Sequence, residues 1–336
     1  MGDVCVISVG SSSGRTMSEI MMSRLDSQVK FIAADTSRKD LSTITADYKV
    51  AMGYRIVPED GTHGDYHRGK SCAMQSVGDI VELASDCGTV VLFSNLWGGT
   101  SVGAVDEIAV ALKKNGRRVI ALCALPHMST IDDIRSGANT AVDILKGKCD
   151  NTFIINTNKV YRNIYDMASS YSHMERYMGA LLWTCVEALQ SDGDIKNKLV
   201  EGGFSIAKWS RLEDCSSPSL VKAVEDHLEG FEFTDRSGLI VSIYSPTEME
   251  SDTLVNFRKK LESITEGRPV SINVNRSRDA AISIISTHMK ERLTYSFKKK
   301  SGSGKKKGSH TVSSHNADLF SFVREGKSKS GIDWVS

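Results

Sequence analysis

Apolar runs of six to eight residues recur through the first half of the chain: VCVISV (4–9), VKFIAA (29–34), TVVLFS (89–94), RVIALCAL (118–125) and NTFIIN (151–156). Between them the apolar spacing changes to a helical period, over 17–25, 71–84, 105–114 and 131–145. Strands that are apolar throughout, rather than at every second position, are buried on both faces. Alternated with amphipathic helices, they predict a parallel sheet covered on both sides. Right-handed crossovers then bring all the strand C-terminal ends to one edge, where such sheets bind their ligands.

The stretch 172–190 (SHMERYMGALLWTCVEALQ) is apolar around most of its circumference. A helix of that kind is buried between two layers, so it predicts a core helix joining two domains. Beyond it the pattern predicts a helix at 219–228, a strand at 239–245, a helix at 247–264 and strands at 270–275 and 280–289. The short RSRD link between the last two strands predicts an antiparallel hairpin. The expected architecture is therefore α/β, a parallel-sheet nucleotide-binding domain over 1–170, a core helix over 171–190 and a smaller α+β domain over 191–296. Residues 297–336 form a tail, and no internal repeat is visible.

Composition sharpens this picture at the tail. The chain of 336 residues carries a formal net charge of +1. From Ser296 onward there are nine Lys/Arg against three Asp/Glu, a net of +6, so the remaining body is about −5. The Ser-, Gly- and Lys-rich segment 298–316 holds too little apolar surface to offset its ordering entropy, and is expected to be disordered. An apolar cluster follows it at Leu319, Phe320, Phe322 and Val323, with Trp334 near the end. No apolar run reaches the roughly 18 residues of a membrane span, and no secretory leader pattern is present. The seven cysteines form no CxxC pair, which indicates neither a zinc site nor a disulfide framework. These features are those expected of a cytoplasmic protein without a membrane partner.

Four loops at strand C-terminal ends share glycine and hydroxyl residues: 9–17 (VGSSSGRTM), 34–41 (ADTSRKDL), 59–70 (EDGTHGDYHRGK) and 97–103 (WGGTSVG). Glycine exposes backbone N–H groups, and a loop that opens into a helix adds the positive end of the helix dipole. Four such loops on one sheet edge predict an anion cradle. A P-loop would need GxxxxGK[ST], but Arg15 and Thr16 follow Gly14, and the spacing from Gly10 is wrong. A dinucleotide fingerprint GxGxxG is also absent after the first strand, which argues against an oxidoreductase of the doubly wound kind.

In the order and spacing of these loops the chain resembles the tubulin/FtsZ superfamily. The superfamily's GGGTG[ST]G signature stands here as WGGTSVG, with Trp97 in the first glycine's place. ADTSRKDL is similar to the second loop, 147–161 to the FtsZ segment that runs into PNDK, and 280–289 to the last strand of the second domain. The resemblance covers roughly Val4 to Met289, and the tail and second loop look closest to the TubZ branch of plasmids and phages or to phage tubulins. It implies a domain that binds GTP or GDP with Mg²⁺, and filaments built head to tail by self-association.

Residue by residue, the resemblance gives the phosphates to Gly98, Gly99, Thr100, Ser101 and Gly103, with Gly10, Ser11, Ser12, Ser13 and Gly14 lining them from the first loop. Asp35 and Thr36 would reach Mg²⁺ or its waters, with Asp35 the candidate metal ligand. Gly61, Thr62, His63 and Gly64 would sense the γ-phosphate, with His63 and His67 exposed loop histidines rather than metal ligands. The base would fall to Tyr171 by stacking and to Glu175, with Asn156, Thr157 and Asn158 nearby. Catalysis would come from 190–199 (QSDGDIKNKL), where Asp194 takes one acidic place; Ser191 takes the other, with Asp192 beside it. These acids would act in the next subunit's site as a GTPase. The implied task is plasmid or phage DNA segregation, with DNA or a DNA-bound adaptor captured by the two lysine triplets of the tail in a bacterial or phage-infected cytoplasm. The alternatives are a phage spindle that positions viral DNA or capsids, and a scaffold that binds nucleotide without hydrolysing it.

Overall fold

The computed structural model describes residues 3–23, 29–55, 60–160, 167–191, 194–202 and 205–291. In chain order its elements are β1 (Val4–Val9), α1 (Ser11–Ser23), β2 (Lys30–Asp35), α2 (Arg38–Thr43), β3 (Tyr48–Ala51), α3 (Tyr66–Leu83), β4 (Thr89–Asn95), α4 (Gly99–Lys114), β5 (Arg118–Ala124), α5 (Asp132–Lys148), β6 (Asn151–Ile155) and α6 (Thr157–Val160). The long α7 (Met167–Gln190) follows. Then come α8 (Asp194–Val200), β7 (Ile206–Arg211), α9 (Ser217–Leu228), β8 (Phe231–Ser245), α10 (Ser251–Ile264), β9 (Val270–Arg276) and β10 (Ala281–Glu291).

The first six strands form one parallel sheet in the order β3-β2-β1-β4-β5-β6. Successive side chains of a strand point to opposite faces, and here each face has its own core. Val4 and Val6 of β1, with Val91 and Phe93 of β4, join a cluster with α1, α2 and α7. Cys5, Ile7 and Val9, with Val90 and Leu92, join a cluster with α3, α4 and α5 on the other side. This double burial is why the strands read as unbroken apolar runs. The strand order reverses at β1 and β4, so the chain leaves these neighbours in opposite directions. A crevice at their C-terminal ends is the natural ligand position.

The second sheet is mixed, in the order β7-β10-β8-β9. Leu239, Val241 and Ile243 of β8 and Ile282 and Ile284 of β10 face α9 and α10. The alternate residues Ile240 and Ile285, with Ala207, face α7 and join the same core as β1 and β4. Helix α7 is thus the layer shared by both sheets, as its all-round apolarity predicts; Met174, Met178, Leu181, Leu182 and Val186 are fully buried. Polar links fix its register. Glu187 accepts hydrogen bonds from the Ser242 hydroxyl (2.7 Å) and the Asn275 amide (3.4 Å), and the Tyr244 hydroxyl donates to the Ala180 carbonyl (3.1 Å).

One expected pairing is corrected. Strands β9 and β10 form no hairpin: β9 pairs in parallel with β8, and β10 pairs antiparallel with both β7 and β8. Burial explains the choice. Residues 281–289 are buried throughout and need a neighbour on each side, whereas β9 is half exposed along its length and suits an edge. Strands β3 and β7 escaped the sequence pattern because YKVA and IAKWSR are short and carry charge.

Candidate functional site

Two helices start side by side at the reversal point. Strand β1 ends at Val9, paired with Ser94 of β4, and α1 begins two residues later at Ser11. Gly10 makes the turn with φ of 89°, a left-handed conformation open to glycine, and its N–H donates to the Ala34 carbonyl at 3.0 Å. Helix α4 begins at Gly99 behind Gly98, which has no side chain to cap the first N–H groups. Both helices are long enough to carry a dipole, and both aim their positive ends into one cleft of about 400 Å³. That is the setting for an anion held by main-chain amides.

Side-chain hydroxyls converge on the same cleft. Thr36 follows β2, Thr62 lies in the loop before α3, and Thr100 is in the first turn of α4. Thr100 Oγ1 stands 2.6 Å from Thr36 Oγ1 and 3.4 Å from Thr62 Oγ1. Close helix packing brings the 60–64 loop here. A Cβ on Gly99 would lie 2.7 Å from the Gly64 carbonyl carbon and from Thr62 Oγ1, so only glycine lets that loop rest on the start of α4. At the back wall, the Asn95 side chain donates to Ser12 Oγ (3.0 Å), while the Asn95 N–H donates to Ser13 Oγ (2.8 Å). Asn95 Oδ1 is buried and has no partner among the described atoms.

Negative charge rims one side. The Ser11 hydroxyl lies 2.7 Å from both Asp35 Oδ2 and Asp40 Oδ2. A hydroxyl has one proton to donate, so this pair of carboxylates is left with charge that a proton or a cation would offset. Burial holds the Asp35 carboxyl above the usual carboxylate range, against the lowering effect of hydrogen bonds from the Ser37 N–H and the Ser11 hydroxyl. Asp60 accepts from the Ser37 hydroxyl (2.9 Å) and from the Arg38 and Lys39 N–H groups. Desolvation, the largest single influence, raises its pKa, but these bonds together outweigh it and hold the carboxyl below that range. Among the described residues no group of three or more His, Cys, Asp or Glu is arranged as a metal site. Mg²⁺ fits this donor set only as an ion that takes most of its ligands from phosphate oxygens and water, with Asp35 or Asp40 supplying a carboxylate.

Of the residues expected from the sequence, Gly10, Ser11, Ser12, Asp35, Thr36, Gly61, Thr62, Gly64, Gly98, Gly99, Thr100 and Ser101 line this one cleft. Among the described residues, the remaining expected ones do not line it. Ser13 is buried behind it, accepting the Asn95 N–H. Gly14 faces Ile44, with 2.3 Å between its would-be Cβ and Ile44 Cδ1. Gly103 lies a turn inside α4, where a Cβ would stand 2.0 Å from the Tyr66 carbonyl oxygen; it is a helix-packing residue. Asn156 and Asn158 bond to each other, and Asn158 Oδ1 accepts the Met128 N–H at 2.7 Å. The buried Thr157 hydroxyl has no partner among the described atoms. Glu175 of α7 reaches the cleft's edge, accepting from Ser12 Oγ at 3.0 Å and pairing with Arg15 at 3.5 Å. The Tyr171 side chain and Asp192 lie outside the described residues.

Asp194 is exposed at the start of α8. It lines a hollow with Asp3, Thr89 and Arg118, at the N-terminal ends of β1, β4 and β5. The cleft is at the opposite ends of these strands. Six residues of β1 span about 20 Å, so Asp194 cannot serve the cleft of its own chain.

The sequence reading missed Arg15, Ser37, Asp40, Asp60 and Asn95, which line the cleft. A signal existed for one pair. Ser37-x-x-Asp40 is a helix-start pattern, and the Asp40 N–H does donate to Ser37 Oγ at 3.1 Å.

Residues 3–165 match the family model described as Tubulin/FtsZ family, GTPase domain. The cell division protein FtsZ of Aquifex aeolicus is 22% identical over 272 residues, covering 77% of this chain and 74% of that protein. Among solved structures, an empty FtsZ dimer of M. jannaschii superposes with a TM-score of 0.72 at 18% identity, over 84% of this chain and 87% of that one. TubZ of Clostridium botulinum phage c-st, with its C-terminal tail truncated, gives a TM-score of 0.55 at 17% identity, over 85% and 91%. The fold is that of tubulin and FtsZ, and the TubZ structure is a more distant match than the FtsZ one.

Proposed function

We propose that the tubulin/FtsZ-type GTPase domain of this chain binds GTP with Mg²⁺ in the β1/β4 cleft and hydrolyses it only where a second subunit stacks on that cleft. The observation that carries the proposal is the separation of parts. The amide- and hydroxyl-lined cleft lies at one edge of the sheet, and the exposed Asp194 lies at the other. Head-to-tail stacking brings the two together, which is what self-association of this fold would supply.

In this reading the first-turn N–H groups of α1 and α4 hold the β- and γ-phosphates. Thr36, Thr62 and Thr100 add hydroxyl donors, and the 60–64 loop closes over the γ-phosphate. A bound Mg²⁺ supplies charge neutralisation on the phosphate oxygens, opposite Asp35 and Asp40. Asp194 of the next subunit orients the attacking water. The water oxygen bonds to the γ-phosphorus, the bond to the β–γ bridging oxygen breaks, and its electron pair leaves with GDP. Such a reaction gains mainly from positioning and charge stabilisation. In this reading Glu175, which Ser12 and Arg15 contact, accepts the N–H donors of guanine.

One observation favours a scaffold that binds without hydrolysis. The other acidic place is Ser191, whose hydroxyl is spent on the Ala188 carbonyl at 2.7 Å. Phosphate release measured against protein concentration separates the readings. Cooperative release above a threshold supports the GTPase, and none at any concentration supports the scaffold. The finer reading, a plasmid or phage filament that moves DNA, is supported by the tail's two lysine triplets and by the likeness to TubZ. A division-type filament is supported by the likeness to FtsZ. Salt-sensitive binding of duplex DNA by the full chain, lost on removing the tail, would support the former.

A further inference from the structure

We propose that the acidic, aromatic hollow at the end of the second sheet is the docking site for the chain's own basic segment 292–307, bound in cis. The hollow has a volume of about 470 Å³ and carries Glu225, Glu229, Glu232 and Glu266 on its rim. Its floor is apolar, with Leu228, Phe233 and Ile264 half buried. Arg268 pairs with Glu266 at 2.9 Å and lies over the Phe233 ring at 5.7 Å. Glu225, Glu229 and Glu232 occupy exposed positions.

Three observations select the occupant. First, the chain is delivered to the hollow. The last residues of β10 pair with the hollow's own lining: Met289 with Phe233, Lys290 with Glu232 and Glu291 with Phe231. The described part of β10 therefore ends at the rim, and a segment that follows it has no long linker to close. Second, the charges match. Residues 292–307 contain Arg292 and six lysines and no acidic residue. The hollow adds to its glutamates the ends of two helices, since Leu228 and Ile264 are the last residues of α9 and α10. Helix C-termini attract cations. Third, Leu293, Tyr295 and Phe297 alternate with polar residues just before the lysines. An extended segment would turn all three to one side, toward an apolar floor that wants covering. Four glutamates against the one Arg268 disfavour a polyanion such as DNA, so the hollow fits a basic, aromatic peptide. The proposal is independent of the nucleotide reading.

The test is amide hydrogen exchange on the full chain, with variants confined to the segment so that the folded body is untouched. In Lys298→Ala/Lys299→Ala/Lys300→Ala, and separately in Tyr295→Ala/Phe297→Ala, exchange across 225–233 is expected to quicken about tenfold. High salt should do the same to the unaltered chain, and the effect should not depend on protein concentration. Exchange unchanged in both variants would overturn the proposal. Protection that grows with protein concentration would assign the hollow to a second copy's segment and overturn docking in cis. As a second reading from the other side, Glu225→Lys/Glu229→Lys should raise the rate of tryptic cleavage after Lys298–Lys300 about tenfold. Cleavage that responds only to added duplex DNA would contradict the proposal.

Discussion

Gly98 and Gly103 sit five residues apart in the glycine-rich stretch 97–103, and their surroundings differ. An alanine at Gly98 meets nothing closer than Ser101 Oγ at 3.8 Å, and the backbone there (φ −134°, ψ 157°) suits any residue. The folding cost is that of alanine for glycine at an N-cap, about 0.5 kcal/mol. The new methyl stands in the cleft, against the space left for phosphate. At Gly103 the methyl would lie 2.0 Å from the Tyr66 carbonyl oxygen and 2.5 Å from the Lys70 nitrogen. Both are main-chain atoms of α3 and cannot swing aside. Overpacking costs about 1–3 kcal/mol, and contacts this short belong at the upper end. The gain in helix propensity returns about 1 kcal/mol, leaving a net loss of about 2 kcal/mol. Urea unfolding and equilibrium binding of GTP with Mg²⁺ should therefore dissociate. Gly98→Ala should keep its urea midpoint within the small N-cap cost and lose at least about tenfold in affinity, about 1.4 kcal/mol. Gly103→Ala should lower the midpoint with an unchanged slope. The reasoning is refuted if Gly98→Ala binds as tightly as the parent, or if Gly103→Ala loses nucleotide without losing stability.

Asp194→Ala should leave nucleotide binding intact while phosphate release in the assembled state falls about a hundredfold; equal loss of binding would place Asp194 in its own chain's site. Thr100→Val removes the hydroxyl that Thr36 and Thr62 face, and should weaken GTP binding about tenfold, measured below the assembly threshold. His227 bears on acid stability. Burial first, and the nearby Lys208 second, push its pKa from 6.5 down to about 3. The unfolded chain then binds the proton that the folded chain refuses. The contribution is complete above pH 6.5 and is lost as pH falls toward 3, at about 1.4 kcal/mol per pH unit. The stability of His227→Phe against pH, by urea titration, should lack that part of the slope; parallel slopes in parent and variant would contradict the assignment.

The sheet was legible because each of its strands except the edge strands β3 and β6 is buried on both faces, a pattern that needs no knowledge of the partner strand. The second sheet was less so. The alternation along 270–275 and 281–289 specifies strands but not neighbours, and a four-residue link invites a hairpin that the need to bury β10 on both sides forbids. The cleft was readable from the glycine–hydroxyl loops. What separates a cradle glycine from a packing glycine is the direction in which a Cβ would point, and that depends on how α3 crosses α4, so Gly14 and Gly103 read like Gly98. Asn95 carries no local signal at all. It closes the cleft because β4 ends beside α1, a relation that exists only after the sheet is assembled.

The central claim is that amides and hydroxyls from several loops at one sheet edge hold a single triphosphate. Amide exchange of the full chain, with and without GTP and Mg²⁺ and below the assembly threshold, tests it most directly. The account predicts new protection together at 10–12, 36–37, 61–64 and 98–101, with none around Asp194 until subunits assemble. Protection confined to any other part of the molecule would contradict it.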